Sequence, residues 1–188
     1  MSKAFLAIDL GAESGRVIHA ILEGSGRAKR FKLQEVHRFR TQGLLMHGAR
    51  QWDITRIYEE IVAGLAKAAL IKGPKLSGIG IDTWGVDFGF IAADGSLAGN
   101  PGHYRDARTA GMIEVAGSVI PQPEIYSRTG IMTLPFNTLY QLLAIVKANA
   151  PVLKIADKRL FIGPLLGYLL TGKATGEYTI ASTAQMLS

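Results

Sequence analysis

Three short stretches of this sequence carry more polar specificity than a hydrophobic core needs. They are Asp9 to Arg16, Asp82 to Asp87, and His103 to Thr109. In the first, Asp9, Gly11, Ala12, Glu13, Ser14, Gly15 and Arg16 make a turn between two apolar runs, Phe5 to Ile8 and Val17 to Leu22. Successive amide N–H groups around such a turn converge on one anion, most often phosphate. The Ser14 hydroxyl and the Arg16 guanidinium add donors. A strand-end carboxylate meets phosphate only through a hydrated Mg²⁺, which is the chemistry expected of Asp9 and Asp82 acting via water. The turn thus reads as a loop for the β- and γ-phosphates of a nucleotide, with Mg²⁺ beside them. Taken alone it reads equally well as an ordinary glycine-turned hairpin. It is not a Walker loop, because no Gly-Lys-Ser/Thr follows and the next element is a strand.

The other two stretches suit a polyhydroxylated ligand. A sugar needs bidentate polar partners and one apolar platform; Asp87, Arg105 and Asp106 offer the first, and Trp84 beside Gly85 offers the second. Ligands of α/β sheets collect beyond the carboxyl ends of strands. Asp9 and Asp82 both fall at such ends, so one shared cleft is expected. The blander alternatives are a turn cap for Asp82 and a surface ion pair for Arg105 with Asp106. Other chemistries find no support: His19, His37, His47 and His103 lack metal-ligand spacing, there is no Gly-x-Ser-x-Gly elbow, and Gly172-Lys173 runs into Ala174. Trp52 reads as a packing anchor.

The elements that must hold these residues follow from periodicity. Phe5 to Ile8 reads as a strand buried on both faces, forming a hairpin with Val17 to Leu22. Arg30 to Phe39 is a third strand, and Thr41 to Gln51 a loop. Asp53 caps a helix that runs to Lys72 and stops at Gly73-Pro74. Ser77 to Asp82 and Val86 to Ala92 are strands, with a turn at Asp94-Gly95. Helices are expected over Ala107 to Val119, briefly over Glu124 to Arg128, over Thr138 to Ala148 with Thr138 and Gln141 as a capping box, and over Leu165 to Leu170. Glu177 to Ser188 is too polar to finish a core. The fold class is α/β with a mixed sheet.

The 188 residues, 48% hydrophobic and 19% charged, suffice for one domain or one large lobe. The absence of cysteine excludes disulfides, thiolate metal sites and cysteine nucleophiles, and suits a cytoplasmic protein. The opening apolar run is stopped by Asp9, so neither a signal peptide nor a membrane span is expected. The net charge of +6 is densest over Arg27 to Arg40. No aromatic ladder is interleaved there, so solvated strand edges are expected rather than a nucleic-acid surface. A small anionic ligand such as ATP suits the same excess.

Longer stretches extend the pattern: Asp-Leu-Gly-Ala-x-Ser-Gly-Arg at 9–16, Val-His-Arg-Phe at 36–39, Trp-Asp-Ile at 52–54 and Gly-Ile-Asp-Thr-Trp-Gly-Val-Asp-Phe at 80–88. Tyr-Arg-Asp-x-Arg-Thr at 104–109, Tyr-x-x-Thr-Gly-Ile at 126–131, Pro-Phe-Asn-Thr-Leu-Tyr-Gln-Leu at 135–142 and Leu-Thr-Gly at 170–172 continue it. Nearly end to end, the chain resembles the FGGY carbohydrate kinases, in particular their rhamnulokinase branch. The resemblance implies a ribonuclease H-like lobe of the actin, Hsp70 and sugar-kinase ATPase type, MgATP, and phosphorylation of L-rhamnulose at O1. It implies that Ala12 to Arg16 meet ATP phosphates, that Asp9 approaches Mg²⁺ through water, and that Gly85 touches the sugar. It makes residues 1–188 an N-terminal kinase domain whose partner is a C-terminal lobe carrying the catalytic base, so no catalytic residue is expected in this chain. Two departures stand out: Glu13 where a small hydroxyl residue is common, and Gly163-Pro164 where Pro-Asp is frequent. A kinase for another ketose or polyol, or a non-catalytic sugar-binding module, remain the alternatives.

Overall fold

The computed structural model describes residues 2–187, and the chain forms two compact units. The first comprises residues 1–42 and 53–84; the second comprises 43–52 and 85–188.

The first unit is a four-stranded mixed sheet with one long helix. β1 (Lys3–Leu10) and β2 (Ser14–Glu23) form the expected hairpin, β3 (Arg30–Arg40) extends it antiparallel, and a later strand (Leu76–Thr83) joins β1 in parallel. In β1 the residues Ala4, Leu6, Ile8 and Leu10 are buried while Ala7 is exposed, so the strand is packed on one face and not on two. The cover is α1 (Ile54–Ala69), whose buried face Ile54, Ile57, Ile61, Gly64 and Ala68 repeats at helical spacing. Asp53 caps it, its side chain accepting from the Arg56 amide at 3.1 Å. Gly64 permits close approach: a Cβ there would lie 2.4 Å from Val17 of β2. The helix stops at Ala69, short of Lys72, and leaves Leu70 in solvent.

The second unit opens with a hairpin where a loop was expected: β4 (Gly43–Met46) pairs with β5 (Ala49–Trp52). His47 and Gly48 both take positive φ, 49° and 79°, the backbone of a two-residue hairpin turn. After the joining strand, β6 (Leu76–Thr83), comes β7 (Phe88–Ala92), paired antiparallel with β8 (Ala156–Phe161). β8 escaped the sequence reading because Asp157, Lys158 and Arg159 break its apolar pattern; the Arg159 guanidinium lies over the rings of Phe88 and Phe161, at 5.4 and 4.5 Å. The helix expected over Ala107 to Val119 is a single 3₁₀ turn, Ala107–Thr109, then α2 (Met112–Gly117), parted by Gly111 at φ 75°. α3 (Gln122–Thr129), α4 (Thr138–Lys147) and α5 (Ile162–Thr171) follow. The tail also departs from expectation: α6 (Tyr178–Ser182) is capped by Glu177, and Ala184 and Gln185 are buried. The Gln185 amide accepts from Asn137 at 2.8 Å and donates to the Ile131 carbonyl at 3.1 Å, so a polar residue completes this core with both ends of its amide hydrogen-bonded.

Candidate functional site

In the first unit the phosphate-type turn joins β1 to β2. Its two glycines are not there for positive φ, which neither adopts. A Cβ on Gly15 would lie 2.4 Å from the Phe39 ring and 2.8 Å from Leu10, so packing demands the glycine. The Gly11 amide donates to the Ser14 carbonyl at 3.0 Å and closes the bend. Buried Thr41, just past β3, ties the bend down: its hydroxyl donates to the Gly11 carbonyl at 2.6 Å and its amide to the Glu13 carbonyl at 3.2 Å. Nothing in the spacing announces Thr41. Glu13 is exposed, while Ala12 and Ser14 are half-buried.

Strand register assembles a charged row beside this bend. Asp9 pairs with Arg16 across the hairpin and with Asp82 across the parallel β1–β6 ladder, and Arg16 pairs in turn with Arg38. Directly paired residues share a face. The row Arg38, Arg16, Asp9, Asp82 therefore crosses four strands on the face that α1 does not cover. Arg16 and Asp9 are joined at 2.8 Å with side chains 37% and 39% exposed. The Arg16 Nε is buried and has no hydrogen-bond partner among the described residues, a donor left over for a ligand oxygen. Arg38 is held by Glu35 at 2.5 Å. That contact raises the guanidinium's affinity for its proton and lowers that of the Glu35 carboxyl. Asp9 and Asp82 were foreseen; Arg38 was hidden, because only sheet register puts it in line.

Among the described residues no three His, Cys, Asp or Glu groups could cage a metal. Two carboxylates in register, about 5 Å apart by inter-strand spacing, fit a hydrated Mg²⁺ that takes its remaining ligands from water and phosphate.

In the second unit Asp87 is fully buried rather than presented to a ligand. Its Oδ2 accepts the Trp52 indole N–H at 2.6 Å and the Tyr104 amide at 3.2 Å; its Oδ1 accepts the Gln141 amide at 2.9 Å. Burial pushes the Asp87 carboxyl up to about 6, against the pull of these donors and of Arg108. Trp52 is the packing anchor expected, with His103 stacked on it at 4.0 Å. His103 accepts the Arg105 amide at Nδ1, 2.9 Å away, which places its proton on Nε2. Burial, and the Arg50, Arg105 and Arg108 charges, push it down to about 4, so it is neutral.

Asp106 does not pair with Arg105. Its carboxylate accepts the amides of Arg50 and Arg108 at 2.6 and 2.9 Å and lies 3.5 Å from the Arg108 guanidinium. Exposed Arg105 instead lies over the Tyr104 ring at 5.3 Å. Asp106 and Arg108, with Arg50, Gln51 and Asn100, line a cavity of about 200 Å³. Gly102 leaves room for the Arg108 guanidinium, which a Cβ would meet at 2.5 Å. Gly85 is exposed with nothing within 4 Å of its would-be Cβ, an open approach of the kind a ligand uses.

The capping box does not form. Thr138 donates to the Val86 carbonyl at 2.8 Å, and Gln141 is committed to Asp87, Phe136 and Arg108. Their spacing satisfied the capping pattern while their side chains serve the loop before β7.

Comparison with known proteins identifies the family of the chain. A family model described as "FGGY family of carbohydrate kinases, N-terminal domain" matches residues 4–188. A rhamnulokinase from Bacteroides thetaiotaomicron is 42% identical over the whole chain, which covers 38% of that protein; one from Oceanobacillus iheyensis is 40% identical, with 39% of it covered. The chain thus spans about two-fifths of the length of the curated relatives it matches. Among solved structures, a gluconate kinase and a ligand-bound xylulose kinase, both from Lactobacillus acidophilus, superpose with TM-scores of 0.81 and 0.79. They are 19% identical over 100% and 99% of the chain, and 37% of each is covered. At that identity they establish a shared fold. No helix among the described residues is long and apolar enough to cross a membrane.

Proposed function

We propose, from the premise that this chain belongs to the FGGY family of carbohydrate kinases, that it forms the N-terminal lobe of an ATP-dependent kinase that phosphorylates L-rhamnulose at O1. The observation that carries the proposal is the register of Asp9 with Asp82 beside the Gly11–Arg16 bend. It supplies two carboxylates, a leftover guanidinium donor and a backbone turn at one strand end. The sugar named is that of the relatives at 40–42% identity.

In this reading the amides of Ala12 to Arg16 and the Ser14 hydroxyl donate to ATP phosphates. Asp9 and Asp82 hold the waters of Mg²⁺, which when bound neutralises charge on the phosphates. Glu13 is exposed, so its charge has room to turn into solvent and away from them. Trp84, Gly85, Arg105 and Asp106 meet the ketose; Asp87 acts behind them, through the backbone. The base that takes the sugar-hydroxyl proton comes from a C-terminal lobe, whose closure excludes water from the transfer. Use of MgATP sets the activity in the cytoplasm. Partners are ATP, the sugar and that lobe; a membrane or nucleic acid has no part.

ADP release tests this. The chain alone should turn over negligibly with L-rhamnulose. Fused to the second domain of the Bacteroides relative, it should release ADP with L-rhamnulose in preference to xylulose or gluconate. Kinase-like turnover by the chain alone would contradict the division of labour. A fused protein active on another sugar would reassign the substrate.

A further inference from the structure

Gly85, Val86 and Asp87 form an unusual bend. The Asp87 amide donates to the Gly85 carbonyl at 2.8 Å, an i→i+2 hydrogen bond. Val86 at its centre has φ 65°. This is the strained γ-turn of positive φ, and a β-branched residue is among the least suited to it. No glycine occupies the position, although Gly85 is next door.

A strained backbone persists only where its surroundings over-determine it. Here α4 does so. The Val86 carbonyl accepts the Thr138 hydroxyl at 2.8 Å and, at a longer 3.4 Å, the Gln141 amide. Gln141 is fixed by the Phe136 carbonyl at 2.8 Å, by Asp87 Oδ1 at 2.9 Å and by the Arg108 guanidinium on its own oxygen at 2.5 Å. Thr138, Gln141 and Asp87 are all fully buried. Such an assembly is heavier than a connecting loop requires, and the residue it leaves open is Gly85.

We propose that Thr138 and Gln141, backed by Asp87 and Arg108, are positioning residues for the sugar: they clamp Val86 in its strained turn so that the Gly85–Val86 backbone is presented in one fixed geometry. This rests on the reading that Gly85 meets the ketose. None of the four need touch the ligand.

The test uses amide chemical shifts of Gly85 and Val86 in the 188-residue chain, titrated with L-rhamnulose. Thr138→Val is nearly isosteric and removes only the clamp's shorter hydrogen bond. It should weaken the ketose affinity of the folded protein about tenfold, while Thr138→Ser should bind as the parent does. Val86→Gly in the Thr138→Val background should restore affinity, because glycine takes this φ without help; a role in stability alone would not be rescued in that way. Gln141→Leu gives a second reading, with the same weakening expected, if Thr138→Val does not stay folded. Unchanged affinity in both clamp variants, while the parent still binds, would overturn the clamp and leave the sugar reading standing. A parent chain with no ketose response at Gly85 would overturn both.

Discussion

The two bends that carry the proposed ligands are built in opposite ways. The Gly11–Arg16 bend is tied down by one buried residue, Thr41, and its charged neighbours Asp9 and Arg16 are more than a third exposed. The Gly85–Asp87 bend is strained and held by three fully buried side chains and a stacked Trp52–His103 pair. The first suits a ligand that brings its own charge and cation: convergent amides and two carboxylates suffice, and water can stay. The second suits a neutral, hydroxyl-bearing ligand, for which hydrogen-bond direction is the main source of discrimination. Pre-organisation then has to come from the protein.

That contrast can be broken at either bend. The largest effect is expected in the second. Asp87→Ala strands the Trp52 indole N–H and the Gln141 amide in a dry interior and should cost about 3 kcal/mol or more, read as a fall in the urea midpoint. Stability near the parent's would mean that the buried network is ornamental. Gly15→Ala follows, at about 1–3 kcal/mol, because its Cβ would collide with Phe39 at 2.4 Å. Gly85→Ala, with nothing within 4 Å, should leave the midpoint unchanged and weaken only ketose binding.

Next is pH. The Asp87 carboxyl is raised from its ordinary 3.8 to about 6, so between these values the folded chain keeps a proton that the unfolded chain has released. Its contribution to stability therefore falls as pH rises through that window. His103 is lowered from 6.5 to about 4. Below 6.5 the unfolded chain gains a proton that the folded chain refuses, and stability falls as pH drops toward 4. The two slopes oppose each other between pH 4 and 6, and the parent should be nearly flat there with respect to this pair. Asp87→Asn should expose a loss on acidification, and His103→Phe a gain, each approaching about 1.4 kcal/mol per pH unit. Urea midpoints across the window check both signs; slopes of the same sign in the two variants would refute the assignment. Arg50, Arg105, Arg108 and Asp106 are the charged groups around His103, and they remain in either variant. A small stability effect is expected from the charges beside the first bend. Asp9→Asn removes a half-exposed ion pair worth at most about 1 kcal/mol, yet should abolish the Mg²⁺ dependence of nucleotide binding.

What could be read beforehand follows the same division. The β1–β2 hairpin, α1 with its Asp53 cap, and the β6 strand were legible because local periodicity and turn chemistry specify them. The strand-end positions of Asp9 and Asp82 were legible because each closes an apolar run. Arg38 was not, since its place depends on register across three strands. Thr138 and Gln141 were misassigned because a capping box and a long-range clamp share one spacing. Asp87 was recognised as important but placed in contact with ligand, because no local signal distinguishes an exposed carboxylate from one buried beneath Trp52. The β4–β5 hairpin was missed because His-Gly is a weak turn signal beside Asn-Gly. Gly15 is demanded by packing against Phe39 and Leu10 and not by backbone conformation, whereas Gly11 has neither a positive φ nor a neighbour closer than the Ser14 carbonyl at 3.4 Å.

The most direct test of the central claim is an amide shift map of the 188-residue chain with L-rhamnulose and, separately, with MgATP. The expected result is a ketose response at Gly85, Val86 and Arg105 and a nucleotide response at Gly11 to Arg16. A nucleotide response that bypasses the Gly11–Arg16 bend, or a ketose response confined to residues outside 84–106, would contradict it.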